Sequence, residues 1–346
     1  MCIRDRQRPG RWIAEPTGAT SHLQTKTLHL TNDGLRTTTG QLDRTVASPA
    51  HCGADAGEYC AIWLGPELPG DQRSDDALST TFDSEPLSAD MDIVGAPRVT
   101  VQVASDQPQA QMAVRLNHIH PDGAATRITY GVLNLSHRDS AENPKPMAAG
   151  KVENVTLDLD HIAYRVPAGH RLRVSISDAY WPLIWPSPAP TTLTLSAGQI
   201  ALPQRPTSGS DEYAFPPPTA ADPWQIETLR PQNHIRRRET DMTTGEVLLV
   251  IEDDFGRVKD LDHGLINGSI ARERWTIHPD DPLSARGTCH WTEELQRGDI
   301  VLRTETHCTM SSDAADFHLT ARLEAYEGDT LVYHRDITDS VKRDCM

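Results

Sequence analysis

The sequence predicts an all-β chain, a sandwich followed by a second antiparallel unit, and three observations carry that expectation. Apolar residues alternate with polar ones through many short runs, the period of strands with one buried face. Gly, Pro and Asp turn signals separate the runs. No amphipathic stretch longer than two or three helical turns lies in the first 203 residues, which excludes a βαβ repeat.

The elements follow in chain order. Val99, Val101 and Val103 alternate with Thr100 and Gln102, and Met112, Val114 and Leu116 alternate with Ala113, Arg115 and Asn117. Pro121-Asp122-Gly123 is a turn before a further run from Arg127 to Leu133. Val155, Leu157 and Leu159 alternate with Thr156 and Asp158. Leu172, Val174 and Ile176 alternate with Arg171, Arg173, Ser175 and Ser177, and the chain then enters AYWPLIWPSPAP, residues 179–190. That loop carries too much proline to extend a ladder or form a helix. Thr192 to Leu195 is one more short strand.

From Pro203 to Pro223 the composition is Pro-, Ser- and acid-rich with few aliphatics, a linker. Six strands follow, Glu246–Glu252, Ala271–Ile277, Arg286–Leu295, Ile300–Met310, Phe317–Tyr326 and Thr330–Arg335. Gln296-Arg297-Gly298-Asp299 and Glu327-Gly328-Asp329 join neighbours as hairpin turns, so an antiparallel meander is expected. If Gly298 and Asp299 are the two central turn residues, Cys289 faces Cys308 and His290 faces His307. A cross-strand contact between the two sulfurs is then expected. Adjacent Cys and His point to opposite faces, so the four groups cannot share one ion.

Composition bounds the partners. A formal net charge of −16 argues against nucleic acid and against anionic membrane surfaces, both of which need a surplus of Lys and Arg. No apolar run approaches the roughly 20 residues that span a bilayer. The opening MCIRDRQRPGRW has basic residues without a following apolar stretch, which is no secretory signal, and MCIRDR resembles a translated adapter prefix. The six Cys are scattered without a C-x-x-C pair, so free and mostly buried thiols are expected. None of the 22 Gly residues has Ser two positions later, which excludes the G-x-S-x-G nucleophile elbow. Ser136 and His137 are strand-end neighbours whose side chains diverge, a structural corner rather than a triad.

His118 and His120 share one strand face, a spacing that could donate two metal ligands. Spacing identifies no third, and the expectation is a solvent-facing pair beside a turn, with no metal and no cofactor.

GHRLRVSISDAYWP at 169–182 and VRLNHIHPDGAATRITYGVLNLSHRDS at 114–140 together resemble the C-terminal jelly-roll domain of the X-Pro dipeptidyl-peptidase and cocaine esterase-like (CocE/NonD) hydrolases. GRWIAEP at 10–16, HPDDPLSARGTCHW at 278–291 and LEAYEGDTLVYHRDITDSVKRD at 323–344 resemble larger bacterial members. The resemblance implies a galactose-binding-like jelly-roll β-sandwich over residues 26–203, after an N-terminal segment, 1–25, left from the junction with an α/β-hydrolase domain. A linker (204–222) and a second antiparallel β domain (223–346) complete the expected division.

In that family the hydrolase domain supplies a Ser, Asp and His triad for ester or X-Pro peptide hydrolysis. GRWIAEP falls after the catalytic His, so the resemblance implies a chain that starts downstream of the triad and has no catalytic residue of its own. The implied partner is that hydrolase domain of the same polypeptide. Asp178, Tyr180, Trp181 and Trp185 are the expected substrate-pocket or domain-interface residues, because rigid aromatics offer large contact area at low entropic cost; the alternative is that they cap this domain's own core. An apolar patch is expected near the Trp181 loop or the N-terminal segment. The alternatives are a stand-alone carbohydrate-binding module and an oligomerisation module.

Overall fold

A computed structural model describes residues 2–3, 10–14, 23–59, 61, 67–206 and 213–346. The first strands are β1 (Cys2–Ile3), β2 (Arg11–Trp12), β3 (Gln24–Thr31), β4 (Gly34–Arg36) and β5 (Arg44–Val46). After a five-residue helix, α1 (Arg73–Ala77), come β6 (Thr80–Asp83), β7 (Met91–Gly95), β8 (Arg98–Ser105), β9 (Gln111–Ile119) and β10 (Ala125–Asn134). The run continues with β11 (Glu153–Asp158), β12 (Ile162–Val166), β13 (Arg171–Ser177) and β14 (Leu193–Arg205).

The sandwich has two sheets. One is four-stranded in the order β10-β9-β13-β6; the other is built around β11-β8-β14-β3-β4, with β5 and β7 also on β14 and β12 on β7. All these pairings are antiparallel. The alternation read from the sequence builds the core: Val99, Val101 and Val103 from one sheet meet Met112, Val114, Leu116, Leu172, Val174 and Ile176 from the other. Gln102, between two of those valines, is exposed.

β9 departs from a half-exposed strand. Its second face is buried as well, because α1 and the loop before it cover the outside of the four-stranded sheet. That covered face is polar and cross-linked by hydrogen bonds to one carboxylate. Asp76 of α1 accepts from Arg115 (3.1 Å), Asn117 (2.9 Å), Ser175 (2.7 Å) and Arg173 (3.1 Å), and Arg173 also grips Asp83 through two nitrogens. A carboxylate meeting two guanidinium groups and two neutral donors leaves little of its charge uncompensated.

The C-terminal unit is one sheet of β15 (Ile226–Arg230), β16 (Asn233–Thr240), β17 (Val247–Asp260), β18 (Ile266–His278), β19 (Asp281–Arg297), β20 (Ile300–Ser312), β21 (Asp316–Glu327) and β22 (Thr330–Lys342). Strands β17 to β22 form the expected meander, and β15 and β16 both pair with β17. Gly298 and Gly328 sit in the tight turns with φ of 58° and 56°, a conformation that costs glycine little. Cys289 pairs with Cys308 and His290 with His307, the register the turn predicts. Alternation puts Trp275, Cys289, Cys308, Met310 and Leu319 on one face and Arg272, His290, Glu305, His307 and Arg322 on the other.

The strands are longer than the sequence suggests, since β14 runs to Arg205 and β17 to Asp260. The added stretches carry Ser, Gly, Gln and Pro in β14 and Asp, Gly, Arg and Lys in β17, which obscure a strand in any reading keyed to apolar residues. The thiols are also less buried than expected: of the four described, Cys52 is buried, Cys289 and Cys345 are half-buried and Cys308 is exposed. Cys308 lies where the sandwich no longer covers the apolar face of the sheet.

Candidate functional site

The loop that follows β13 carries the four residues the sequence singled out. Asp178 and Tyr180 are buried, Trp181 is 1% exposed and Trp185 is half-buried. Trp181 stacks edge-on against Trp185, with centroids 5.3 Å apart, and against Trp275 of β18 at 5.8 Å. Trp185 in turn meets Phe317 of β21 edge-on at 6.2 Å and donates its indole N–H to Ser312 Oγ at 2.9 Å. The loop therefore packs onto the C-terminal sheet of its own chain. Within this chain Trp181 and Trp185 have the C-terminal sheet as their neighbour, Tyr180 and Trp185 also face an apolar cleft, and a sugar-stacking role for Trp181 lacks the exposed ring it needs.

Two glycines make room for this joint. A Cβ on Gly287 would stand 2.5 Å from the Trp275 ring, and one on Gly53 would meet the Trp181 backbone at 2.8 Å. Hydrogen bonds complete the seam: Ala50 N–H donates to Pro279 O (2.8 Å), Asn134 Nδ2 to Cys345 O (2.7 Å) and Arg343 to Pro186 O (2.5 Å). Arg238 and Arg236 of β16 pair with Asp55 and Glu58 of the loop before α1. Beside the seam lies an apolar cleft of about 450 Å³, lined by Met112, Val132, Tyr180, Trp185, Met310 and Phe317 among others.

The polar members of the loop are structural in their contacts. Asp178 accepts from Ser48 N (2.7 Å) and Thr191 Oγ1 (2.5 Å), and burial still pushes its carboxyl above the usual carboxylate range. The Tyr180 hydroxyl accepts from Arg127 at 2.7 Å, with burial raising the phenol. Ser136 and His137 lie in a one-turn 3₁₀ helix capped by Asn134, whose side chain accepts from Ser136 N at 3.0 Å, so they form the expected corner.

A second constellation exceeds what spacing could show. His118 is fully buried rather than facing solvent, and His170, at the turn before β13, joins it and His120. β13 runs antiparallel to β9 with Arg171 opposite Ile119, which brings His170 beside the β9 histidines. His118 Nε2 lies 2.6 Å from His170 Nδ1, His118 Nδ1 lies 2.9 Å from the Tyr164 hydroxyl, and His120 Nε2 lies 3.0 Å from Thr126 Oγ1. The signal for His170 was present in the sequence as a histidine at the mouth of the adjacent strand, but only the strand order shows that the two strands are neighbours. On the polar face of the C-terminal sheet, His290 and His307 stack at 3.9 Å beside Glu305, which is already held by Arg303 and Thr292.

Trp12 of β2 meets Tyr213 and Phe215 of the segment between β14 and β15 in an exposed aromatic cluster, 48%, 45% and 59% accessible. Trp12 meets Phe215 edge-on at 5.2 Å, and Tyr213 N–H donates to Trp12 O at 2.9 Å.

The chain is 25% identical over 148 residues to the cocaine esterase of a Rhodococcus strain, an alignment covering 42% of this chain and 25% of that enzyme. It thus spans about a quarter of the length of the curated relatives it matches. Among solved structures, an alpha-amino acid ester hydrolase aligns at TM-score 0.45 and 20% identity, covering 52% of this chain and 36% of the other. A CocE/NonD family hydrolase from Staphylococcus aureus aligns at TM-score 0.45 and 12% identity, covering 59% and 41%. The model of the X-Pro dipeptidyl-peptidase C-terminal non-catalytic domain matches residues 2–241. On that match the chain belongs to the family of X-Pro dipeptidyl-peptidase C-terminal non-catalytic domains.

Proposed function

We propose that this chain is the accessory region of a CocE/NonD-type serine hydrolase, packing on the catalytic α/β-hydrolase domain and helping to shape its substrate pocket. The observation that carries the reading is the exposed Trp12, Tyr213 and Phe215 cluster. Three large aromatics in mutual contact are the composition of an interface anchor, because their burial brings much apolar area at little side-chain entropy. The cluster includes Trp12, in the segment we read as the junction with the hydrolase domain. Trp181 and Trp185 pack against the C-terminal sheet of this chain, whereas this cluster stays exposed.

The test is co-expression with the hydrolase domain encoded upstream in the same gene. A one-to-one complex should survive size exclusion, and Trp12→Ala with Phe215→Ala should weaken it at least tenfold, about 1.4 kcal/mol. An upstream frame without a G-x-S-x-G elbow, or a complex indifferent to both substitutions, overturns the proposal.

A further inference from the structure

We propose that His118, His120 and His170 form a binding site for a divalent cation of the zinc class, with the fourth coordination position open to water. The inference rests on the sandwich alone and is independent of the hydrolase reading.

Geometry supports it first. The three residues present ligand atoms that all lie within 4.8 Å of one another. His118 and His120 come from one face of β9 and His170 from the start of its antiparallel neighbour, so the backbone of two paired strands holds all three. Two ligands at i and i+2 of a strand and one across the ladder place three imidazoles around one point without a flexible loop.

The surroundings fit a metal site in three further respects. His118 and His120 each have one ring nitrogen in contact with a hydroxyl, Tyr164 and Thr126, and such partners fix tautomer and ring orientation in histidine metal sites. The 2.6 Å approach of His118 Nε2 to His170 Nδ1 requires a proton between two lone pairs. A cation can replace that proton, which leaves to solvent, and the two nitrogens then open to the roughly 3.3 Å that tetrahedral ligands about 2.0 Å from zinc require. The deepest ligand, His118, is fully buried, while His120 and His170 are half-exposed and leave a path for the ion and a water. Three neutral imidazoles favour zinc and its borderline neighbours over calcium or magnesium.

The other histidine cluster is the built-in comparison. Glu305 beside His290 and His307 is already neutralised by Arg303, and His307 is exposed, so that cluster offers a cation less.

The experiment titrates the full chain, stripped with chelator, with zinc and with cobalt(II). One equivalent should bind, and cobalt should give the visible ligand-field absorption of a tetrahedral nitrogen site. His120→Ala and His170→Ala, both at half-exposed positions, should each weaken binding at least tenfold while the far-ultraviolet circular dichroism stays unchanged. His307→Ala should bind as the parent does. Absence of cobalt absorption, or binding that survives both sandwich substitutions and is lost with His307→Ala, overturns the proposal. A variant that fails to fold is replaced by His170→Gln, judged on the same readouts.

Discussion

Trp181 packs edge-on against Trp275, ring centroids 5.8 Å apart and planes at 79°, and so fastens the sandwich to the C-terminal sheet. Trp181 belongs to the loop after β13 and Trp275 to β18, and Ile277, Ala285 and Ala50 close around them. A strand runs straight into a proline-rich aromatic loop because the loop is the joint. Trp181→Ala should destabilise the chain by about 3–5 kcal/mol, the range for removing a buried aromatic. Gly287→Val should loosen the same joint from the other side by driving its side chain into the Trp275 ring. Urea unfolding with intrinsic Trp fluorescence measures both; a wild-type midpoint for either variant would mean that the two units hold together elsewhere.

Asp76 gathers two arginines, an asparagine and a serine on the outer face of the four-stranded sheet. Asp76→Ala should therefore cost about 3–5 kcal/mol, since Arg115 is left as a buried charge without its principal acceptor. Asp158→Ala, at an exposed pair with Arg98, should leave the unfolding midpoint nearly unchanged. Equal losses at the two sites would contradict the burial argument.

The Cys289 thiol is pushed up to about 11, first by burial and then by the charges of Glu273 and Cys308. Thiolate is the reactive form, so at pH 8 exposed Cys308 should be alkylated by iodoacetamide well before Cys289. Peptide mapping over time reads the order, and Cys289 reacting first would contradict it.

Burial raises the Asp178 carboxyl above its unfolded value, so the folded chain holds that proton more tightly than the unfolded chain. Its contribution to stability is then fully present below the unfolded pKa of about 3.9 and is lost as pH rises through the folded value. The stability advantage of the parent over Asp178→Asn should accordingly shrink as pH rises above about 4. Urea midpoints of both proteins at several pH values test this, and an advantage that grows with pH would show the shift to have the other sign.

Much of the architecture was legible because one-faced strands announce themselves by period. Val99, Val101 and Val103 lie in the core, and the turn at Gly298 and Asp299 set the pairing of β19 with β20 to the residue. β9 was misleading in its second face: Arg115 and Asn117 look like solvent positions, and only α1 with Asp75 and Asp76 folded over them makes them buried. Strands β3 to β7 and β12 escaped notice, as did β15 and β16, being short or rich in polar residues. Of the candidate sites, the packing of the aromatic loop on the C-terminal sheet was not foreseen, and two of three clustered histidines were found. In both cases the missing fact was which strand or sheet lies beside which, a long-range relation that local pattern does not encode.

The central claim is that this chain supports a serine hydrolase without doing its chemistry. The most direct measurement is active-site titration with an activated ester such as p-nitrophenyl acetate, on the purified chain alone and again with the upstream hydrolase domain. The account predicts no stoichiometric burst of nitrophenolate from the chain alone and a burst of one equivalent per hydrolase domain once that domain is present. A burst from the chain alone, or its loss on changing a serine within residues 26–342, would contradict it.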